Sequence, residues 1–237
     1  MMEAMLAIAG MGKVFTVHQL GKRIKACEGI DISVAAGEFV GITGRSGSGK
    51  STILKLIYRS YLPQAGEAWY RSARFGEIDL FRASERQVLY LRKREIGYVS
   101  QFLDLVPRTT AMEALEQAAL EVGMPREKAR EESERMLRHF EIEPELWESY
   151  ASTFSGGEKL RLNVARAMVR HPRLLLLDEP TASLDEHSKG KVKELIAKLK
   201  AEGTTMLGIF HDLQFMEGLC DREYAMGHAV AAPDARP

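Results

Sequence analysis

Eight consecutive residues, Gly44, Arg45, Ser46, Gly47, Ser48, Gly49, Lys50 and Ser51, fit the pattern G-x-x-x-x-G-K-[ST]. Glycines at this spacing let successive backbone N–H groups wrap an anion. A lysine in this place reaches the β- and γ-phosphates of a nucleotide, and the hydroxyl after it ligates Mg²⁺. Ser51 is that hydroxyl, and Thr52 is counted with the turn as it opens into the helix pattern STILKLIYRS. The chemistry predicted is the binding of a nucleoside triphosphate.

Far along the chain LLLLDEP ends in two carboxylates. Asp178 closes a continuous apolar run and is placed to hold Mg²⁺ directly or through water. Glu179 follows it, where a carboxylate could polarise an attacking water. A third stretch, FSGGEKLRL, opens a helix on Gly156 and Gly157. Ser155 and Glu158 have the S-x-x-E spacing of a capping box, in which each side chain satisfies an orphan N–H. The glycines oppose it, since each costs about 1 kcal/mol relative to alanine in a helix. They make sense where something must approach the backbone, and a helix N-terminus suits an anion. Three single residues complete the set. Gln101 and His211 each follow a predicted strand, the usual ligand edge of an open parallel sheet, although either is equally an ordinary loop residue. Phe15 is an aromatic that could stack on adenine or serve as a core phenylalanine on an edge strand.

The elements that must position these groups can be read from periodicity. Strand patterns occupy 4–9, 30–34, 38–43, 67–71 and 96–100, and a capping box from Ser84 to Gln87 predicts a helix over 85–94. From about 102 to 157 no strand pattern intervenes. Helices begin at a Thr110/Glu113 box and near Pro125, so this stretch reads as a helical insertion. The run 174–178 has the composition of a parallel strand buried on both faces. A helix over 186–203 places Val192, Leu195, Ile196 and Leu199 on one face, and 204–210 is another buried strand. Strands alternating with helices give an α/β fold around a mainly parallel sheet.

The bulk numbers agree with a globular chain of 237 residues, with 45% apolar and 28% charged residues. Lys+Arg and Asp+Glu are both 33, so the net charge is zero and offers no electrostatic reason to sit on nucleic acid. LRKRE (91–95) and REKAREESER (126–135) read as solvated helix faces with intrahelical pairs. Cys27 and Cys220 lie far apart without metal-ligand spacing and read as small buried hydrophobes in a reducing compartment. No run approaches the ~20 apolar residues of a membrane span. The expectation is a cytoplasmic protein, held at a membrane only through a partner.

In order, GRSGSGKS, Gln101, SGGE, LLLLDEP, SLD (183–185) and His211 resemble the ATP-binding cassette family over nearly the whole chain. The resemblance implies an α/β P-loop NTPase domain with a mainly parallel sheet core, an antiparallel β subdomain and an inserted α-helical subdomain. It divides a single domain, 1–237, into a core of 1–101 and 158–228, a helical subdomain of 102–157 and a tail of 229–237. It implies Mg²⁺-dependent hydrolysis of ATP by a head-to-tail pair of cassettes, either a homodimer or one with a sister cassette. Ser155, Gly156 and Gly157 of one cassette would then face the γ-phosphate bound at the partner's P-loop. Gln101 would touch Mg²⁺ and the attacking water, His211 the γ-phosphate, and Asp185 would communicate across the interface. Phe15 would fill the adenine-stacking position.

A finer likeness lies in YRSYLPQAGE, IGYVSQFLDLVPR, STFSGGE, LLLLDEPTASLD and GIFHD. These resemble the cassettes of the bacterial carbon–phosphorus lyase system, which breaks down phosphonates. That likeness implies a lyase core complex as partner and participation in attaching a phosphonate to the ribose of a nucleoside triphosphate. Lys159-Leu160 departs from it, since two glutamines are usual there. The alternative is the motor of a membrane transporter of lipoprotein-release or macrolide-exporter type, with a permease as partner.

Overall fold

The computed structural model describes residues 4–17, 22–100, 108–181, 184–210 and 213–226. Among these residues the strands form two sheets. The first is antiparallel, in the order β2-β1-β4-β5, and comprises β1 (Ala4–Val17), β2 (Lys22–Ala35), β4 (Ala65–Ser72) and β5 (Gly76–Asp79). The second is parallel, in the order β6-β7-β8-β3-β9. It comprises β3 (Phe39–Thr43), β6 (Ile96–Val99), β7 (Leu174–Asp178), β8 (Thr205–Ile209) and β9 (Arg222–Ala225). The helices are α1 (Lys50–Ile57), α2 (Glu85–Arg94), α3 (Ala111–Glu121), α4 (Arg126–His139), α5 (Gly156–Met168), α6 (Glu186–Ala201) and α7 (Leu213–Met216).

The apolar runs are explained by burial on two faces. All five residues of β3, β7 and β8 are buried. Side chains alternate across a strand, so each strand serves two cores. Leu175 and Leu177 of β7 join a core with α3, α4, α5 and α6, while Leu174 and Leu176 join one with α1 and the antiparallel sheet. Phe39 and Met206 belong to the first core. Val40, Ile42, Leu207 and Ile209 belong to the second. A one-residue slip in register would exchange the two sets, which is why the pairing is strongly specified.

Parallel register sets the functional edge. Val99 pairs with Leu177, Asp178 with Ile209, and Ile209 lies level with Ile42. The turns after β3, β6, β7 and β8 therefore leave the sheet on one side, the edge at which open α/β sheets bind ligands.

The antiparallel hairpin is longer than the sequence reading, which found only 4–9 and 30–34. The outer end of β2, from Lys22 to Lys25, is exposed residue after residue, so no alternation marks it. β5 and β9 also escaped that reading. Each has four residues, and β9 lies largely exposed at a sheet edge. Both cysteines are free. Cys27 is buried, Cys220 is half-buried, and burial pushes the Cys220 thiol up to about 12.

Candidate functional site

Gly49 fits its place for two physical reasons. It caps α1 in the left-handed region with φ 91°, and a Cβ there would lie 1.9 Å from the carbonyl oxygen of Ala26 on β2. The loop is thus pressed against the antiparallel sheet at a point where only glycine fits. Among the described residues no side chain caps α1, so its first N–H groups remain for an anion. Gly44, Arg45, Ser46 and Gly47 are exposed, Ser48, Ser51 and Thr52 half-buried, and Lys50 buried. The Lys50 ammonium donates to the carbonyls of Gly44 and Arg45, both at 2.9 Å. Those bonds use two of its three donors and hold the loop closed around the amine. Burial draws Lys50 below the ordinary lysine range, and the charge of Glu179 opposes that shift. Glu179 is thereby placed within electrostatic reach of the lysine.

The two carboxylates stand in different surroundings. Asp178 ends β7 and is 7% exposed. Its Oδ2 accepts a hydrogen bond of 2.5 Å from the hydroxyl of Tyr98 on β6, while its Oδ1 is buried with no partner among the described residues. Burial, then the hydrogen bond to Asp178, pushes the Tyr98 phenol above its ordinary range, so it keeps its proton and donates. Glu179 adopts φ 52°, the left-handed region, and its N–H donates to the Ile209 carbonyl at 3.1 Å. Backbone strain of this kind is typically about 1–3 kcal/mol and persists only where the surroundings hold it. Here β8 supplies the hold.

These features fit Mg²⁺. A buried carboxylate oxygen without a partner is a ready ligand, and Ser51 supplies a hydroxyl at the start of α1. Among the described residues no group of three or more His, Cys, Asp or Glu could hold a metal. A single carboxylate suits Mg²⁺, which keeps several waters and shares phosphate oxygens rather than filling an all-protein cage.

The Ser155 turn is built as its sequence predicts. The Ser155 N–H donates to Glu158 Oε2 at 2.7 Å, and the Glu158 N–H donates to Ser155 Oγ at 3.3 Å. Its surroundings are those of α6 rather than of the P-loop. A Cβ on Gly157 would meet Ser188 Oγ at 3.1 Å and Ser188 Cβ at 3.3 Å. Ser188 is in turn held by Asp185, which caps α6 by accepting from the Ser188 N–H at 2.8 Å and its hydroxyl at 3.1 Å. Ser155, Gly156 and Asp185 are exposed. Beside them lies a cleft of about 150 Å³ lined by Ser155, Glu158, Arg161, His187 and Lys191 among others. Leu160 packs into the helical core, so the Lys159-Leu160 departure leaves the helix start intact.

Phe15 is half-buried on the stretch of β1 that pairs with β2 alone. Its ring meets Tyr61 edge-on at 5.2 Å and carries the Lys13 ammonium at 5.2 Å from its centre. β1 is flanked by β2 and β4 over Leu6–Gly12, whereas at Phe15 it pairs with β2 alone among the described residues, an edge position. Gln101, His211 and Ser183 lie outside the described residues. Their neighbours are described. Asn163 of α5 donates to the Ser100 carbonyl at 3.1 Å, and Phe210 is buried at the end of β8. Tyr98 went unnoticed in the sequence. Its position three residues before Gln101, next to the strand of Asp178, was the signal.

A phosphate-cradling loop after β3 and a carboxylate pair after β7, with β8 between them, define a P-loop nucleotide-binding fold. The profile of the family described as ABC transporter matches residues 27–182. The chain belongs to that family and is an ATP-binding cassette subunit. It is 35% identical over 201 residues to the lipoprotein-releasing system ATP-binding protein LolD of Legionella pneumophila (strain Paris), covering 84% of this chain and 86% of the relative. It is 33% identical over 209 residues to the methionine import ATP-binding protein MetN of Carboxydothermus hydrogenoformans, covering 87% of this chain and 60% of that protein. In structure it resembles the dimeric post-hydrolysis state of the ATP-binding cassette MJ0796 bound to ADP and Pi. The TM-score is 0.83 at 28% identity, with 94% of each chain covered.

Proposed function

We propose that this chain is the ATP-hydrolysing motor of a membrane transporter of the lipoprotein-releasing type, acting as a head-to-tail dimer. The observation that carries this reading is the likeness to LolD over most of both chains. The carbon–phosphorus lyase reading, with its lyase core complex and ribosyl triphosphate chemistry, draws no support from the relatives named above, which are transporter cassettes. Most of the FLDLVPR motif behind it, residues 102–107, also lies outside the described residues.

In the proposed reaction Asp178 and Ser51, with Gln101, hold Mg²⁺, which when bound offsets charge on the phosphate oxygens. Lys50 and the N–H groups of the P-loop hold the β- and γ-phosphates. Glu179 takes the proton of a water whose oxygen bonds to the γ-phosphorus, as the bond to the β-phosphate oxygen breaks to leave ADP. His211 holds the γ-phosphate, Phe15 packs beside the adenine, and Asp185 signals across the dimer. The single chain supports the dimer in a physical way: its Ser155 turn is exposed and packs beside α6, so a second copy is needed to bring such a turn to the phosphate. The helical stretch 102–157 is the part read as facing a permease.

The test is a trap. Glu179→Gln should lower hydrolysis by about 10²–10⁴-fold and hold the ATP-bound complex. Purified with Mg-ATP from membrane and soluble fractions of its source cell, this variant should bring an integral membrane permease with it. Recovery of soluble lyase subunits instead would overturn the proposal.

A further inference from the structure

We infer that Tyr98 is the positioning residue of the metal site, fixing which oxygen of Asp178 faces Mg²⁺; the inference rests on the reading of Asp178 as a metal ligand. A carboxylate at the end of a strand can rotate and present either oxygen. Here the rotation is stopped. The Tyr98 hydroxyl donates to Oδ2 at 2.5 Å, leaving Oδ1 as the buried oxygen without a partner among the described residues. A phenol that donates can satisfy only one oxygen, so the other remains committed to a ligand that accepts its lone pairs.

The tyrosine is itself held. Tyr98 sits opposite Leu176 in the β6–β7 ladder, two residues before Asp178 on the neighbouring strand. Its ring packs against Tyr58 at the end of α1, with centres 4.9 Å apart. The Arg92 guanidinium lies over Tyr58 at 4.7 Å, and its Nε donates to the Tyr58 carbonyl at 2.6 Å. A chain of contacts thus runs from α2 through Tyr58 and Tyr98 to Asp178. α1, which carries Ser51 at one end and leads into Tyr58 at the other, brings both metal-facing groups under one support. Such outer partners of a metal ligand set its orientation and with it the metal affinity.

The experiment measures Mn²⁺ binding to the complex with a non-hydrolysable ATP analogue, beside metal-free binding of the same analogue. Tyr98→Phe keeps the ring and removes only the hydroxyl. Mn²⁺ affinity should fall by about 10- to 100-fold, as for other outer-partner losses, while metal-free affinity changes less than about twofold. An unchanged Mn²⁺ affinity would overturn the inference, as would an equal loss in metal-free binding, which would mean that the P-loop had been disturbed. Tyr58→Leu, which removes the stacked wall but leaves the hydroxyl, provides a second route if Tyr98→Phe fails to fold. It should weaken Mn²⁺ in the same direction by a smaller factor, and no change would count against the inference. Asp178→Asn separates the two failures. If it binds Mn²⁺ like the wild type, the metal-site reading itself is wrong. If it loses Mn²⁺ while Tyr98→Phe does not, only the role of Tyr98 falls.

Discussion

Replacing Gly157 with aspartate separates the stability of the fold from the closure of the proposed dimer. Within one chain the change is mild. The new Cβ meets Ser188 at 3.1–3.3 Å, so that side chain must give by a few tenths of an ångström. Against this, glycine is the weaker helix former, and a carboxylate in the first turn gains about 0.3–1 kcal/mol from the helix dipole. The net change in folding stability should stay within about 1 kcal/mol. Across the dimer the same carboxylate faces a γ-phosphate. At about 4 Å and an effective dielectric near 20, each pair of like unit charges costs about 4 kcal/mol. A head-to-tail dimer of two copies carries two such pairs, about 8 kcal/mol, so at about 1.4 kcal/mol per factor of ten dimerisation should weaken by roughly 10⁵- to 10⁶-fold. Light scattering of Gly157→Asp in the Glu179→Gln background, with and without Mg-ATP, reads this directly. Thermal unfolding of the monomer supplies the control. Intact ATP-driven dimerisation, with a melting temperature like that of the parent, would refute the cross-chain role of the turn.

Gly49→Ala should destabilise the fold and abolish ATP binding. The left-handed backbone alone is worth about 1–3 kcal/mol, and the Cβ clash with Ala26 adds to it. A calorimetric melt and a nucleotide titration check both effects. A pH dependence follows from the capping box: hydrogen bonding from the Ser155 backbone N–H, then from its hydroxyl, holds Glu158 below its ordinary value of 4.5. A depressed carboxyl contributes stability that is fully present above the unfolded value and is lost as pH falls through the folded one. Wild type should therefore be more stable than Glu158→Gln at pH 7, and that advantage should shrink as pH is taken from 7 to below 4.5. Urea unfolding of both proteins at the two ends measures it; an advantage that grows on acidification would contradict the assignment.

The boundaries read from sequence were most reliable where one local cause dominated. The Ser84/Gln87 box gives α2 its start, and the apolar run gives β7 both its ends. They failed where burial is absent, as over Lys22–Lys25 of β2, because strand residues exposed on both faces carry no alternation. Phe15 is a different case: its residue type suits stacking, and packing adds what the type does not carry, Tyr61 at its edge and Lys13 over its ring.

The phosphate-loop pattern, the Asp178–Glu179 pair and the Ser155/Glu158 box are legible in the chain without any structure. In each, the chemistry lies in residues a few positions apart, and short spacing survives any later packing. How these stretches meet depends on long-range packing. Asp178 and Tyr98 are eighty residues apart and touch because β6 and β7 pair in parallel register. Glu179 reaches the field of Lys50 because β8 lies between their strands and fixes its backbone through Ile209. Gly49 is confined by Ala26 from another sheet. Long-range contacts of this kind arise from strand order and register, set by two cores that fill opposite faces of one sheet, and no local pattern encodes them.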